Sequence, residues 1–242
     1  MTPSVQTAER KIEWANKHIA SLDKARAVFF NSYEVFADTH IFPGKKVIRP
    51  ADAMPIPDDI ALLAGDAVQN LRSALDHLAW QLVLVSGNTP NRRTYFPIFK
   101  SSDEFEREFC QKANGMRTDI KDAISLYKPY KEGNDILWAL RELNNFDKHR
   151  LLLVVASTFD KIGFKFGKQP TQWLDMGNAR GFKVGDLVYT TFGNIADQQI
   201  HFAFDIAFRE PEVVQGKPVL TTIQSIADLV AKIVSDLSPF FG

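Results

Sequence analysis

Apolar residues recur every three to four positions through most of the first half of the chain, and this period predicts helices. From about Ser4 to Asn31, Ile12, Ala15, Ile19, Leu22 and Phe29 fall at helical spacing between charged residues. Asp58 or Asp59 can cap a second long helix that runs to about Ser86 and is ended by Gly87. SSDEFEREFCQK and MRTDIKDAISLY predict two shorter helices, the first capped by Ser101 or Ser102 and the second stopped by Pro129. A further helix, about Asn134 to Phe146, presents Ile136, Leu137, Leu140 and Leu143 as a buried edge. A last one, about Thr221 to Leu237, presents Ile223, Ile226, Val230, Ile233 and Leu237.

Two regions break that period. YEVFADTHI and KKVIRPA, rich in β-branched and aromatic residues and separated by Pro43-Gly44, predict a hairpin near residues 33–50. After about residue 150 the period becomes two: in HFAFDIAF, Phe202, Phe204, Ile206 and Phe208 alternate with His201, Ala203, Asp205 and Ala207. LLLVVAS, IGFKFG, QWLDM and the arms flanking Gly185-Asp186 join it as expected strands. The expected class is α+β, a helical core with an antiparallel sheet in the C-terminal half and a closing C-terminal helix. It is expected as one domain over 1–242: 1–150 mainly helical, 151–215 sheet, 219–238 helix.

Composition narrows the functional classes. Lys plus Arg (29) equals Asp plus Glu (29), so no global field attracts nucleic acid or an anionic membrane, and any such partner must meet a local patch. The longest apolar-leaning stretch, Leu78 to Val85, is interrupted by Gln81 and is far shorter than the roughly 20 residues of a membrane span. No membrane partner is expected. MTPSVQTAERKIEW lacks the basic flank and apolar run of a secretory signal, so a cytoplasmic location is expected. Cys110, the single cysteine, allows no internal disulfide and no thiolate metal cage. Gly-rich phosphate loops, G-x-S-x-G elbows and dinucleotide fingerprints are missing from the sequence, and no cofactor is expected.

The second long helix carries the candidate chemistry. At about 100° per residue, Ala64, Ala67, Val68, Leu71, Ala74, Leu75, Leu78, Ala79 and Leu82 form one apolar arc. The opposite arc collects Asp66, Gln69, Asn70, Arg72, Ser73, Asp76, His77 and Gln81, with Trp80 as its one large apolar member. A tryptophan on a polar face suggests that the face meets another part of the chain, a second subunit or a ligand, and a homodimer through the face around Trp80 is expected. Arg72 and Asp76, four apart, can form an intrahelical ion pair with a purely structural role. Read functionally, Arg72 and His77 make R-x4-H: a guanidinium that forks a phosphate, and an imidazole that moves the proton of a 2′-hydroxyl or leaving oxygen. In that reading Arg72, His77 and Asp76 are catalytic, Asn70 and Ser73 support them, and RNA is the partner. Residues five apart do not share a helix face, so both could reach one phosphodiester only if the substrate lies across the helix or a second copy of the helix supplies one of the groups.

A second polar cluster ends the Asn134 helix: Arg141, Glu142, Asn144, Asn145, Asp147, Lys148, His149 and Arg150. Cations there suit the negative end of the helix dipole. If the junction packs on the polar face of the 58–86 helix, Glu142, Asn145 and His149 join the candidate site, and two histidines with Asp76 and Glu142 could ligate a divalent metal. The spacing of known ligand motifs is not present, and no metal is expected. Alternatively both clusters only fix helix packing. Arg92 and Arg93 beside Tyr95 and Phe96 could bind single-stranded RNA, or form a solvated loop anchoring core aromatics.

Two resemblances rest on these residues. NLRSALDHLAWQL (70–82) with LRELNNFDKHRLLL (140–153) resembles a widespread group of uncharacterised bacterial proteins over roughly residues 57–155, and implies no activity. R-x4-H on a helix of a helical core resembles the HEPN superfamily, which implies a dimeric, metal-independent endoribonuclease in which Arg72 stabilises phosphate charge and His77 transfers protons. Ser73 stands where that superfamily has Asn, Asp or His, and a large antiparallel sheet departs from its pattern. The competing expectation is a non-enzymatic assembly protein whose Arg72, Asp76 and His77 cluster specifies packing.

Overall fold

The second long helix, α2 (Asp58–Val85), has one face made almost entirely of alanine, valine and leucine. Ala64, Ala67, Val68, Leu71, Ala74, Leu75, Leu78, Ala79 and Leu82 are all fully buried, as the apolar arc predicts. The computed structural model describes residues 2–32, 37–42, 45–50, 56–152, 154–166, 172–175, 189–191 and 198–242, with side chains over 2–30, 56–152 and 205–242. The chain divides into two compact units, residues 1–23, 61–152 and 220–242 in one, and 24–60 and 153–219 in the other.

The first unit is built from helices. α1 (Gln6–Ser32) supplies Ile12, Ala15, Ile19 and Leu22 to its core. Three contacts fix how α1 lies on α2: Ser4 N donates to Gln81 Oε1 (3.1 Å), Lys11 Nζ to Asn70 Oδ1 (3.2 Å), and His18 Nδ1 lies 3.7 Å from Asp66 Oδ2. As the α1 number rises the α2 number falls, so the two run antiparallel. Gly87, at φ 80°, ends α2 where a side chain would strain the left-handed backbone, and its N–H returns to Leu84 O. α3 (Ser102–Lys112) is capped by Ser101, whose Oγ accepts from Glu104 N, while Glu104 reaches back to Lys100 N. α4 (Thr118–Ser125) follows, and α5 (Asp135–Asp147) is capped by Asn134 Oδ1 on Leu137 N.

On α5 the buried edge is Leu137, Leu140, Leu143 and Asn144, whereas Ile136 is 40% exposed. Ile136 lies within about 40° of Leu140 and Leu143 on the helix wheel, but it is the second residue of α5, at the end of the stripe. α6 (Val219–Leu237) buries Ile223, Ile226, Val230, Ile233 and Leu237 at the spacing expected of it. It is tied to the end of α4 by the Tyr127 hydroxyl, which donates to Asp236 Oδ2, where Lys232 Nζ also donates at 2.5 Å. Burial first, then the Asp236 carboxylate, pushes the Tyr127 phenol well above the ordinary tyrosine range. Asp236→Asn is therefore expected to lower the Tyr127 titration, read as the ultraviolet signal of phenolate formation. An unchanged tyrosine titration in that variant would contradict the contact.

The second unit is described mainly through its backbone. Antiparallel pairing joins β1 (Ala37–Phe42) to β2 (Lys45–Pro50) and β2 to β5 (Tyr189–Thr191). It also joins β3 (Val154–Phe166) to β4 (Gln172–Asp175) and to β6 (Gln198–Phe208). Except at the end of β6, the side chains of these strands lie outside the described residues, so the ladders provide no packed sheet face from which to assign a class. Where side chains are described the protein is mostly helical, 68% helix and 4% strand, with one short strand and no sheet. The expected α+β class with an antiparallel sheet in the C-terminal half is thereby corrected to a mostly helical one. The physical reason is that period-two alternation is a local signal: it specifies which side chains share a strand face, not a sheet packed on a core. The apolar stripes of the helices supply most of the described core themselves. The expected turn at Pro43-Gly44 and the arms around Gly185-Asp186 fall, apart from the segments named, outside the described residues.

Among the described residues no helix is long and apolar enough to cross a membrane.

Candidate functional site

Arg72 and Asp76 occur one helical turn apart on α2, and that spacing lets the guanidinium fold back along the helix. Arg72 Nη2 lies 2.8 Å from Asp76 Oδ1, and Nε donates to Asp76 Oδ2 at 3.2 Å. The same Nη2 donates to the Phe96 carbonyl at 2.9 Å, and Asp76 Oδ1 accepts from Phe96 N at 3.0 Å. One ion pair thus satisfies both backbone polar groups of Phe96, whose ring is buried. The pair is a clip that holds the segment after α2 against the helix.

Burial governs its electrostatics. The Arg72 side chain is 14% exposed and that of Asp76 25%. Loss of solvent raises the Asp76 carboxyl above its ordinary range, more than Arg72, the Phe96 N–H and the charge of Lys148 together lower it. The guanidinium is shared between Asp76 and a carbonyl, leaving little of its fork for a phosphate.

His77 is placed otherwise. It is exposed and makes no hydrogen bond or ion pair among the described residues. About 140° of helix rotation separates it from Arg72. The stripe it belongs to runs through Asp66, Asn70 and Ser73 beside α1, where Asn70 accepts from Lys11 and donates to the Asp66 carbonyl. R-x4-H is therefore split within one protomer, with Arg72 turned into the packing and His77 toward solvent. Trp80 is 41% exposed.

The second cluster meets α2 in part. Asp147, the last residue of α5, lies against Gly65 of α2, so close that a Cβ at residue 65 would stand 2.8 Å from Asp147 Cγ. Burial first, and the neighbouring Asp66 carboxylate second, raise the Asp147 carboxyl. Lys148 is near enough to Asp76 to act on its charge. Glu142 instead pairs with Arg141 (2.9 Å), whose guanidinium lies over the Trp138 ring, and Asn145 and His149 are exposed. Among the described residues no three His, Cys, Asp or Glu side chains are grouped to hold a metal ion. Cys110 is exposed. His40 and His201 have side chains outside the described residues.

Sequence reasoning missed Phe96 as the third member of the clip, and Gly65 with Asp147 as the contact between clusters. A glycine inside a helix of strong helix formers, at a cost of about 1 kcal/mol relative to alanine, was the available signal for the second.

Fold and site together define a mostly helical protein with a partly buried Arg–Asp clip at the centre of its longest helix. No protein-family model matches the chain, and no curated protein or solved structure matches it either.

Proposed function

We propose that the chain is a non-enzymatic binding or assembly protein in which Arg72 and Asp76 specify packing. The observation that carries this is the commitment of Arg72 to Asp76 and to the Phe96 carbonyl, with His77 on another face of α2. A guanidinium already satisfied by a carboxylate and a carbonyl would have to break both contacts to hold a phosphodiester, and His77, the imidazole of the motif, is on another face of α2. The clip anchors a backbone segment, which is a structural task.

A HEPN-like endoribonuclease using Arg72, His77 and Asp76 is the reading this one displaces. It would need a substrate lying across α2, or a second copy to bring His77 and Arg72 together. A homodimer around Trp80 is supported only by the exposure of that ring.

The test is incubation of mixed RNA with the protein in EDTA, comparing wild type with His77→Ala. The expected result is no cleavage by either, and a His77→Ala stability within about 0.5 kcal/mol of wild type, as for an exposed residue without partners. Cleavage by the wild type that disappears in His77→Ala at equal folding would overturn the proposal and restore the ribonuclease reading.

A further inference from the structure

Between His77 and Ser102 the sequence contains no Asp or Glu, although the chain as a whole balances its charges. Arg92, Arg93 and Lys100 fall in this stretch, and all three are exposed. The charge neutrality of the whole molecule therefore conceals a local excess of cations.

The structure holds these cations on a fixed tip. Thr94 N donates to Asn91 O at 2.9 Å, closing a turn whose two central residues are Arg92 and Arg93. Asn91 Oδ1 accepts from Arg93 N and Thr94 Oγ1 from Asn91 N, so the turn is braced from both ends. Pro90 is buried on one side and Phe96 to Phe99 on the other. Tyr95, between the turn and the buried segment, is 55% exposed. Neither guanidinium at the tip makes an ion pair or donates a hydrogen bond among the described residues. Because Arg72 and Asp76 pin Phe96, the clip positions this tip.

We propose that the Asn91–Tyr95 tip binds single-stranded nucleic acid, Arg92 and Arg93 contacting phosphates and Tyr95 stacking on a base. Unpaired cations beside an exposed aromatic ring, on a loop that is ordered before binding, are the components such recognition uses. A duplex hides its base faces and gives Tyr95 nothing to stack on. An acidic peptide would satisfy the arginines alone. The proposal goes beyond the non-enzymatic reading and does not depend on it, since binding and cleavage are measured separately.

The experiment is fluorescence anisotropy of labelled oligo(dT) and oligo(U) of about a dozen nucleotides, titrated with the full chain at about 50 mM salt and above. Arg92→Ala with Arg93→Ala is expected to weaken binding about tenfold or more and to make the log–log salt dependence shallower by about 1.4, two phosphate contacts at about 0.7 each. Tyr95→Ala is expected to weaken it about tenfold at an unchanged salt slope, the mark of lost stacking. These side chains are exposed, so all variants should melt like wild type, which circular dichroism checks. Absence of binding at the lowest salt, wild-type affinity in the variants, or a duplex bound as tightly as the single strand would each overturn the proposal. So would binding of phosphatidylserine vesicles with no affinity for the oligonucleotides.

Discussion

Arg72→Ala is expected to lower the unfolding free energy by about 2–4 kcal/mol, far more than any exposed substitution on the same helix face. Removing one partner of a fully buried ion pair typically costs about 3–5 kcal/mol, because the remaining charge is left without compensation. The side-chain exposures of 14% and 25% place this pair somewhat below that range. The variant also strips the Phe96 carbonyl of its guanidinium donor. For a chain of this length the loss corresponds to a fall of roughly 5–15 °C in Tm. Arg72→Lys should recover part of it, since an ammonium can reach one acceptor but cannot fork across Asp76 and the Phe96 carbonyl. Denaturant unfolding of the three proteins measures the series, and equal stability of Arg72→Ala and wild type would remove the clip from the account.

The same variant should change how stability depends on pH. In the wild type, burial raises the Asp76 carboxyl above its unfolded value, so the folded state binds its proton more tightly than the unfolded chain does. The contribution of this group is then greatest in acid, below the unfolded value, and is lost as pH rises through the folded value. Arg72 is the largest of the influences that lower the carboxyl. Without it the folded value climbs further and more stability is lost toward neutrality. The deficit of Arg72→Ala relative to wild type should therefore widen from about pH 4 to about pH 7. A deficit constant over that interval would mean that hydrogen bonds alone, and not the charge of Asp76, account for it. Replacing both residues by apolar ones should not rescue the protein, since the N–H and C=O of Phe96 would lose their partners together.

How much could be read in advance depended on the range of each contact. The apolar arcs of α2 and α6, the cap at Ser101 and the stop at Gly87 are properties of neighbouring residues, and all are found where local spacing puts them. The Arg72–Asp76 pair is also local and was visible as an i, i+4 spacing. Its meaning was not visible, because Phe96 lies 24 positions away and contributes only backbone atoms, which carry no residue signature. Ile136 shows the limit of periodicity: spacing puts it on the stripe with Leu140 and Leu143, yet in the first turn of α5 it stays 40% exposed, while the polar Asn144 near the other end is buried. The fold class failed for a related reason, since alternation in HFAFDIAF says how a strand would present its side chains and nothing about what the described core is made of. The separation of Arg72 from His77 by about 140° of helix was legible from their spacing alone, whereas the contacts that commit Arg72 to Asp76 and Phe96 were not.

Gly65→Ala is expected to destabilise the protein by about 1–2 kcal/mol, although alanine is the better helix former. In an unconstrained helix the change would stabilise by up to about 1 kcal/mol. Here the new Cβ would overlap the Asp147 carboxylate and stand 2.8 Å from its Cγ, well inside contact distance. Either the end of α5 moves away from α2 or the Asp147 side chain leaves its rotamer, and such overpacking commonly costs about 1–3 kcal/mol. The clash involves the far end of a short side chain, so the cost should fall in the lower part of that range. A background lacking the carboxylate isolates the cause. Asp147→Ala removes a group whose ionisation is opposed by burial and by Asp66, so that change alone should be tolerated at neutral pH. In the Asp147→Ala protein, Gly65→Ala should then reverse sign and stabilise, because only the helix propensity remains. A double-mutant cycle read by thermal and denaturant unfolding measures the reversal. The same penalty for Gly65→Ala in both backgrounds would show that something other than the Asp147 contact requires glycine there, and the junction of α5 with α2 would lose its explanation.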